Sequence, residues 1–405
     1  MNSSDTEDIY TKKSIELYCP SCASSAVRIF HEVENVPVHS VLNIPTKKKA
    51  LNFQRGHIRL GFCQDCGFVF NTAFDPSLLT YSPDCEESQG YSPTFNTFAR
   101  KLAEDLIEKY HLKHKKILEI GCGKGEFLKL ICKLGDNRGI GFDPAYVGGR
   151  GSEASGKRVT VIKDYYSERY GEFTADAVLC RMTLEHIPGT ARLVRAVRNA
   201  IGDNANTLVF FQVPDVTRIL KNCAFEDVYY EHCSYFSPGS LARLFSRNGF
   251  DVLDIWEDYD GQYIMLEAKP GREGISENSN VVDDLKALTS HVDTYQKRFK
   301  DKISRWSSLL DDYHAQGRKI VLWGSGSKAV AFLRALKGGP QVEYVVDINP
   351  HRQGTYMAGT GQFVVSPDYL KGYQPDVVVI MNSIYLKEIR YNLEKLELAP
   401  TVMAL

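Results

Sequence analysis

The spacing of apolar positions changes several times along the chain, and each change marks an element. Over residues 1–75 short apolar runs are interrupted by Pro37, Pro45 and the basic run Lys47-Lys48-Lys49, a pattern that predicts a small module of short strands and loops. From residue 96 the segment NTFARKLAEDLIEKY takes a helical period, with Phe98, Leu102, Leu106 and Ile107 on one face. KILEI, GEFLKLICKL, GIGFDP, DAVLCRM, ARLVRAVRNAI and TLVFFQVP then alternate short apolar runs with amphipathic ones. Such alternation predicts a mostly parallel sheet covered by helices, an α/β fold. The polar stretch 271–281 predicts a linker. Residues 282–316 predict one long amphipathic helix, with Leu285, Leu288, His291, Val292 and Tyr295 at helical spacing. A second alternation begins at 319 (KIVLWGSGSKAVAFLRAL, VEYVVD, PDVVVIM) and suits a small α/β domain. The expected division is 1–75, 76–270, 271–316 and 317–405, with no tandem repeat and no low-complexity tract.

Composition narrows the function classes. A chain of 405 residues, at roughly 150 per domain, holds two to three domains. Lys and Arg total 49 against 50 Asp and Glu, so the chain lacks the basic excess of a general polyanion or nucleic-acid binder. Ordinary aromatic and charged contents, 11% and 24%, argue against disorder. No stretch approaches the roughly 20 apolar residues of a membrane helix, so no membrane partner is expected. The start, MNSSDTEDIY, is too polar and acidic for a secretory signal, which predicts a cytoplasmic protein.

Ten cysteines then stand out, four of them in two C-x-x-C pairs. Cys19-Pro-Ser-Cys22 and Cys63-Gln-Asp-Cys66 are separated by 40 residues. Each turn aims two thiolates at one point, and two turns complete the tetrahedron of a structural zinc ion. Gly67 follows Cys66, as expected where backbone N–H groups turn towards a thiolate. The competing readings are a redox pair or unrelated buried cysteines; a redox motif needs one pair beside a βαβ unit, which this region lacks. Four protein ligands leave no open position, so the metal holds the fold rather than catalysing.

Glu119-Ile-Gly121-Cys-Gly123-Lys-Gly125 follows the run KILEI and opens a helical pattern. Glycines let backbone turn sharply and approach a ligand closely, but G-x-G-x-G alone is equally compatible with a dinucleotide site. A G-x-G-x-x-G form is absent, because position 126 is glutamate. With the acid before the first glycine, and Asp143 ending the next strand 22 residues after Gly121, the region resembles the class I S-adenosylmethionine-dependent methyltransferases. The resemblance implies a loop beneath methionine and ribose, Asp143 at the ribose hydroxyls, Asp164 and Tyr165 at the adenine, and S-adenosylhomocysteine as product. It also makes AVLCRMTLEHIP the family's fourth strand and following loop, with Cys180 among the cofactor-binding residues.

The most unusual stretch is Tyr229-Tyr230-Glu231-His232-Cys233-Ser234-Tyr235-Phe236-Ser237, after TLVFFQVP, where a loop at the sheet's carboxyl edge is expected. Three groups that can move protons fall within four residues. The bland alternative is a histidine hydrogen-bonded to a carboxylate for structural reasons. Taken with the cysteine module and the C-terminal domain, this segment resembles the zinc-containing sugar C-methyltransferases over nearly the whole chain. That resemblance implies a Rossmann-like last domain and methylation beside the carbonyl of a nucleotide-linked keto-sugar. It makes Tyr229, Glu231 and His232 the active-site motif, with His232 as base and Tyr235 beside the substrate. Family members carry a further tyrosine before the methyltransferase core, for which Tyr81 and Tyr91 are the candidates.

The chemistry is consistent with these groups. Carbon methylation needs a carbanion-like nucleophile; histidine titrates near neutrality and can remove a proton beside a ketone. A tyrosine hydroxyl can hydrogen-bond the developing enolate oxygen. Gly324-Ser-Gly326-Ser-Lys328 follows a second strand pattern, with Asp347 ending the next strand 23 residues after Gly324. Gly324 and Lys328 at a helix N-terminus suit a substrate phosphate, or the loop serves packing alone. The rival functions are methylation of a non-sugar metabolite at oxygen, nitrogen or carbon, a non-catalytic S-adenosylmethionine-binding protein, and a nucleic-acid methyltransferase. His39, His57 and His186 read as structural histidines, and Trp256, Tyr259 and Tyr263 as core or cleft wall.

Overall fold

A computed structural model describes residues 17–79, 82, 84–148, 158–171, 173–271, 283–337, 339 and 341–405. Of the expected linker only Gly271 falls within this set, and Tyr81 lies outside it. The first strands are β1 (Val27–Pro37), β2 (Arg55–Cys63) and β3 (Val69–Asn71), with the short helix α1 (Lys47–Leu51) between β1 and β2. They pair antiparallel in sequence order. Gly56 and Gly61 keep β2 thin; a Cβ on Gly56 would sit 2.3 Å from a ring carbon of Tyr230.

The central unit opens with α2 (Pro93–Tyr110). Ser92 caps it by accepting from the Phe95 N–H, Pro93 supplies a preset φ at the first position, and His111 ends it in the left-handed region. Its inner face carries Ala99, Leu102, Leu106 and Ile107, close to the periodicity read from sequence. Then follow β4 (Lys116–Ile120), α3 (Glu126–Gly135), β5 (Arg138–Phe142), β6 (Val159–Ile162), β7 (Ala177–Arg181), α4 (Thr190–Ile201), β8 (Leu208–Pro214) and α5 (Val216–Asn222). The two-residue strand β9 (Ser234–Tyr235), α6 (Pro238–Arg247), β10 (Phe250–Asp258) and β11 (Tyr263–Pro270) complete it. The seven-stranded sheet has the order β10-β11-β8-β7-β4-β5-β6. Strands β4 to β8 run parallel, and β11 and β10 are antiparallel additions at one edge. Strand order reverses beside β4, so the crevice for a ligand opens at the carboxyl ends of β4, β5 and β7.

The long helix α7 (Leu285–Ala315) follows, burying Leu288, Val292, Tyr295 and Leu310. The last domain holds β12 (Ile320–Trp323), α8 (Ser327–Ala335), β13 (Val342–Val346), β14 (Phe363–Val365), α9 (Leu370–Tyr373), β15 (Val377–Ile380), α10 (Leu386–Lys395) and β16 (Thr401–Ala404). Its five strands are all parallel, in the order β14-β13-β12-β15-β16. Both large sheets are thus the α/β layers expected, one class I methyltransferase-like and one smaller and Rossmann-like.

The units share cores. Cys19, Cys63, Cys66 and Phe68 lie in one buried cluster with Leu118, Val209 and Phe245 of the central unit. Strand β9 pairs with β3, so the first sheet gains its fourth strand from the segment that carries His232. Leu288, Val292 and Tyr295 of α7 pack with Val36, Ile58 and Tyr230. No helix among the described residues is long and apolar enough to cross a membrane.

Candidate active site

The two cysteine knuckles converge. Cys19 Sγ lies 3.6 Å from Cys66 Sγ, and Cys22 Sγ lies 3.6 Å from Cys63 Sγ. Four thiolates about 2.3 Å from a zinc ion stand roughly 3.8 Å apart at the corners of their tetrahedron, so the cluster needs almost no rearrangement to hold one. Gly67, at φ 74°, makes the second knuckle possible, and its N–H bonds to the Cys63 carbonyl.

The first glycine loop turns from β4 into α3 through three residues with positive φ, Gly121, Gly123 and Gly125. A Cβ on Gly121 would stand 2.1 Å from Thr183 Oγ1. The backbone therefore lies against the β7 loop as closely as a glycine allows. Asp143, at the end of β5, is braced by the Gly123 N–H on Oδ2 (2.9 Å) and the Ala145 N–H on Oδ1 (2.8 Å). Burial raises its carboxyl to about 6 despite those two donors. Glu119 is buried on β4 with Oε2 unpartnered, and burial pushes its carboxyl up to about 7. An orphaned buried carboxylate, a Cβ-free cradle and a fixed acid at the strand end together fit the amino acid and ribose hydroxyls of S-adenosylmethionine. Asp164 already accepts from the Tyr165 N–H, the Tyr170 hydroxyl and Arg169. Tyr165 is half-buried, near enough to Asp143 for that carboxylate to help burial raise its phenol.

Beside this loop lies a cleft of about 420 Å³, a size that suits a substantial small molecule. Glu87 joins the two, lining the cleft while its carboxylate stands 3.3 Å from the Cβ position of Gly123. One wall carries Tyr229, Glu231 and His232, and the facing wall carries Gly324, Lys328 and Asn382. Tyr229 Oη is 2.7 Å from His232 Nε2, and the two rings lie 4.1 Å apart between centroids, tilted by 41°. Burial, His186 and Lys328 hold the His232 imidazole well below its ordinary value, so it is neutral at pH 7. Glu231 Oε2 accepts from the Ser40 N–H (3.1 Å) and Ser40 hydroxyl, while Oε1 lies 3.4 Å from His39 Nδ1. Ser40 in turn meets Ser327 of α8 (2.7 Å), and Arg352 bonds to Ser325 and the Ser40 carbonyl. The C-terminal domain thus braces Glu231 through residues of the first module.

Several expectations need correction. Cys180 is fully buried in the apolar core on β7, paired across the sheet with Ile120 and Phe211, so its side chain cannot face a ligand. Tyr235 lies behind the cleft wall; β9 pairing turns it into the core, with its hydroxyl 3.4 Å from the Tyr229 carbonyl. Lys328 is not a free cation, because it pairs with Asp227 at 2.6 Å, as does Arg218 at 2.9 Å. Tyr91 sits at the cleft rim, 39% exposed, with its ring 6.0 Å from that of His351. His39 and His186, read as structural, stand at the cleft machinery: His186 Nδ1 lies 3.0 Å from the Glu231 carbonyl. Sequence spacing does not single out Glu185, Arg218, Asp227 or Arg352, all of which line the cleft. For Glu185 a signal exists, an acid–histidine pair in the loop after a strand that ends at the ligand-binding edge.

Comparison with known proteins places the chain. Residues 95–255 match the family model described as a methyltransferase domain, and residues 276–400 match that of the C-methyltransferase C-terminal domain. C-methyltransferase NovU of Streptomyces niveus is 28% identical over 306 residues, 72% of each chain. Among solved structures, magnesium protoporphyrin IX methyltransferase from Synechocystis PCC 6803 is 13% identical, covering 44% of this chain and 84% of that one, with a TM-score of 0.35. The 1,6-didemethyltoxoflavin-N1-methyltransferase of Burkholderia thailandensis is 15% identical, covering 43% and 78%, with a TM-score of 0.34. With two methyltransferase regions in sequence order and a glycine-loop site suited to the methyl donor, this chain is a class I S-adenosylmethionine-dependent methyltransferase that resembles the C-methyltransferases.

Proposed function

We propose that the enzyme methylates a carbon next to a carbonyl on a nucleotide-linked keto-sugar, with His232 as general base. The observation that carries this reading is the neutral, buried His232 with Nε2 2.7 Å from the Tyr229 hydroxyl on the wall of a cleft. S-adenosylmethionine, held by Glu119, the Gly121–Gly125 loop and Asp143, supplies an electrophilic methyl group. His232 takes the proton beside the carbonyl, and Tyr229 offers its hydroxyl to the oxygen where negative charge develops. Glu231, fixed by Ser40, accepts a hydrogen bond from a substrate hydroxyl. Lys328 and the Gly324 loop face the diphosphate from the C-terminal domain. Val41 of the first module, the central unit and the last domain together line one site.

Proton abstraction can be measured without methyl transfer. In deuterated water a thymidine diphosphate-linked keto-sugar should exchange its α-proton in the presence of wild-type enzyme. His232→Asn should abolish exchange while leaving S-adenosylmethionine affinity near normal. Exchange at an unchanged rate in the variant removes His232 as base. A second reading, methylation of a small metabolite without a nucleotide, is favoured by one observation: Asp227 already occupies both Lys328 and Arg218. Thymidine and guanosine diphosphates discriminate the two, since only a nucleotide site should raise the melting temperature with them.

A further inference from the structure

The first glycine loop and the cleft meet at the segment 84–92, which leads into α2 and is tied down on three sides. The Glu86 N–H bonds to the Val41 carbonyl of the first module at 2.8 Å. Ser88 Oγ donates to Glu126 of α3 at 2.7 Å, and Gln89 accepts from the Tyr385 hydroxyl of the last domain at 3.0 Å. Between these anchors the Glu87 carboxylate reaches the loop. Its Oε1 stands 3.3 Å from the Cβ position of Gly123 and 2.9 Å from Lys124 Nζ. Gly123 is thus bracketed by two acids, since its N–H also bonds to Asp143 Oδ2 at 2.9 Å.

The Glu87 side chain lines the cleft and stays 46% exposed. Lys124 offsets its charge only in part, because the same ammonium bonds to the Cys85 carbonyl at 3.1 Å and lies 3.7 Å from Glu86. Glu86 itself is buried and accepts from Asn349 Nδ2 at 3.0 Å, turned towards the last domain. The field of Glu87 also crosses the loop: after burial, its charge is among the causes that raise the Asp143 carboxyl to about 6. A methyl donor seated on the loop must present its methyl group to the cleft, so its positive sulfur lies where loop and cleft join. We propose that Glu87 reads this charge, setting its carboxylate towards the sulfonium of S-adenosylmethionine and so favouring the donor over the neutral product. On transfer the S–CH3 bond breaks with its electron pair left on sulfur, and the acceptor's pair forms the new bond to the methyl group. S-adenosylhomocysteine is then an uncharged thioether, which Glu87 no longer attracts. Positive charge on sulfur fades as the methyl group departs, so Glu87 favours the bound donor over the transition state and acts on KM rather than on kcat. Donor recognition at Glu87 is independent of which acceptor enters the cleft.

The test titrates the full, zinc-loaded chain by calorimetry with S-adenosylmethionine, S-adenosylhomocysteine and sinefungin, whose ammonium replaces the S-methyl group. Glu87→Gln keeps the size and a hydrogen-bonding oxygen but removes the charge. It should weaken S-adenosylmethionine and sinefungin about three- to fivefold and leave S-adenosylhomocysteine unchanged. A second measurement uses the wild type alone. Its ratio of donor to product affinity should fall as salt is raised, because a half-exposed carboxylate is screened, and should fall less in Glu87→Gln. Equal weakening of donor and product in the variant means that Glu87 only braces the loop through Lys124, and overturns the proposal. An unchanged ratio, sinefungin following the product, or the same salt dependence in both proteins overturns it as well.

Discussion

At the scale of single residues the molecule is notable for acids held where water cannot reach. Glu119 is raised to about 7 from an ordinary 4.5 chiefly by burial, with Arg181 pulling the other way. A carboxyl whose folded value lies above its unfolded one contributes nothing adverse below pH ~4.5, and folding loses stability as pH rises through the folded value. Glu119→Gln removes that dependence. Melting curves of the ligand-free enzyme should show the variant gaining on wild type from about pH 5 to pH 7 and levelling off above it; a constant difference across that window contradicts the burial argument. Asp143 answers to affinity instead. Asp143→Asn keeps the shape but loses the charge that the Gly123 and Ala145 N–H groups brace, and should weaken S-adenosylmethionine binding about 10- to 100-fold by calorimetry. Both acids were legible in sequence, because each sits at a fixed offset from a strand. His39 and Ser40 were not, since their partner Glu231 is some 190 positions away and only tertiary folding joins them.

At the scale of elements, periodicity carried most of the fold and geometry carried the rest. The helix at Pro93–Tyr110 and the long one at Leu285–Ala315 lie close to where the apolar spacing puts them. The two-residue strand Ser234–Tyr235 is too short for any period to register, yet its pairing with β3 decides that Tyr235 faces inward while Tyr229 faces the cleft. The β4–α3 turn makes the same point energetically. Gly121 combines φ 66° with a neighbour, Thr183 Oγ1, at 2.1 Å from any added Cβ. Alanine there carries roughly 1–3 kcal/mol of backbone strain plus the clash. Gly121→Ala should therefore lower urea-melt stability by more than that strain alone. Adding Thr183→Gly should recover the clash portion and leave the strain, a non-additive pair. Simple additivity of the two changes rules out the contact as the cause.

At the scale of the whole molecule, the cysteine cluster is expected to govern more than its own module. A self-contained zinc module would melt by itself when stripped of metal. Here Cys19, Cys63, Cys66 and Phe68 share one apolar cluster with Leu118, Val209 and Phe245, and Arg243 of α6 donates to the Cys66 carbonyl. The same module supplies His39 and Ser40, which hold Glu231 on the cleft wall, and its sheet holds β9 next to His232. Unpaired thiols forced together without an ion repel once ionised, so loss of metal loosens a cluster that the methyltransferase core packs against. Strong chelation, or Cys63→Ser, should therefore shift the main unfolding transition of the entire chain downwards in a single step, with methyl transfer failing alongside it. Calorimetry resolves the alternative directly: a small early transition with the main one unmoved means that the module unfolds alone. Restoring zinc to the chelated protein should bring back both the transition and the activity together, because the metal acts through packing around the cleft rather than through the reaction itself.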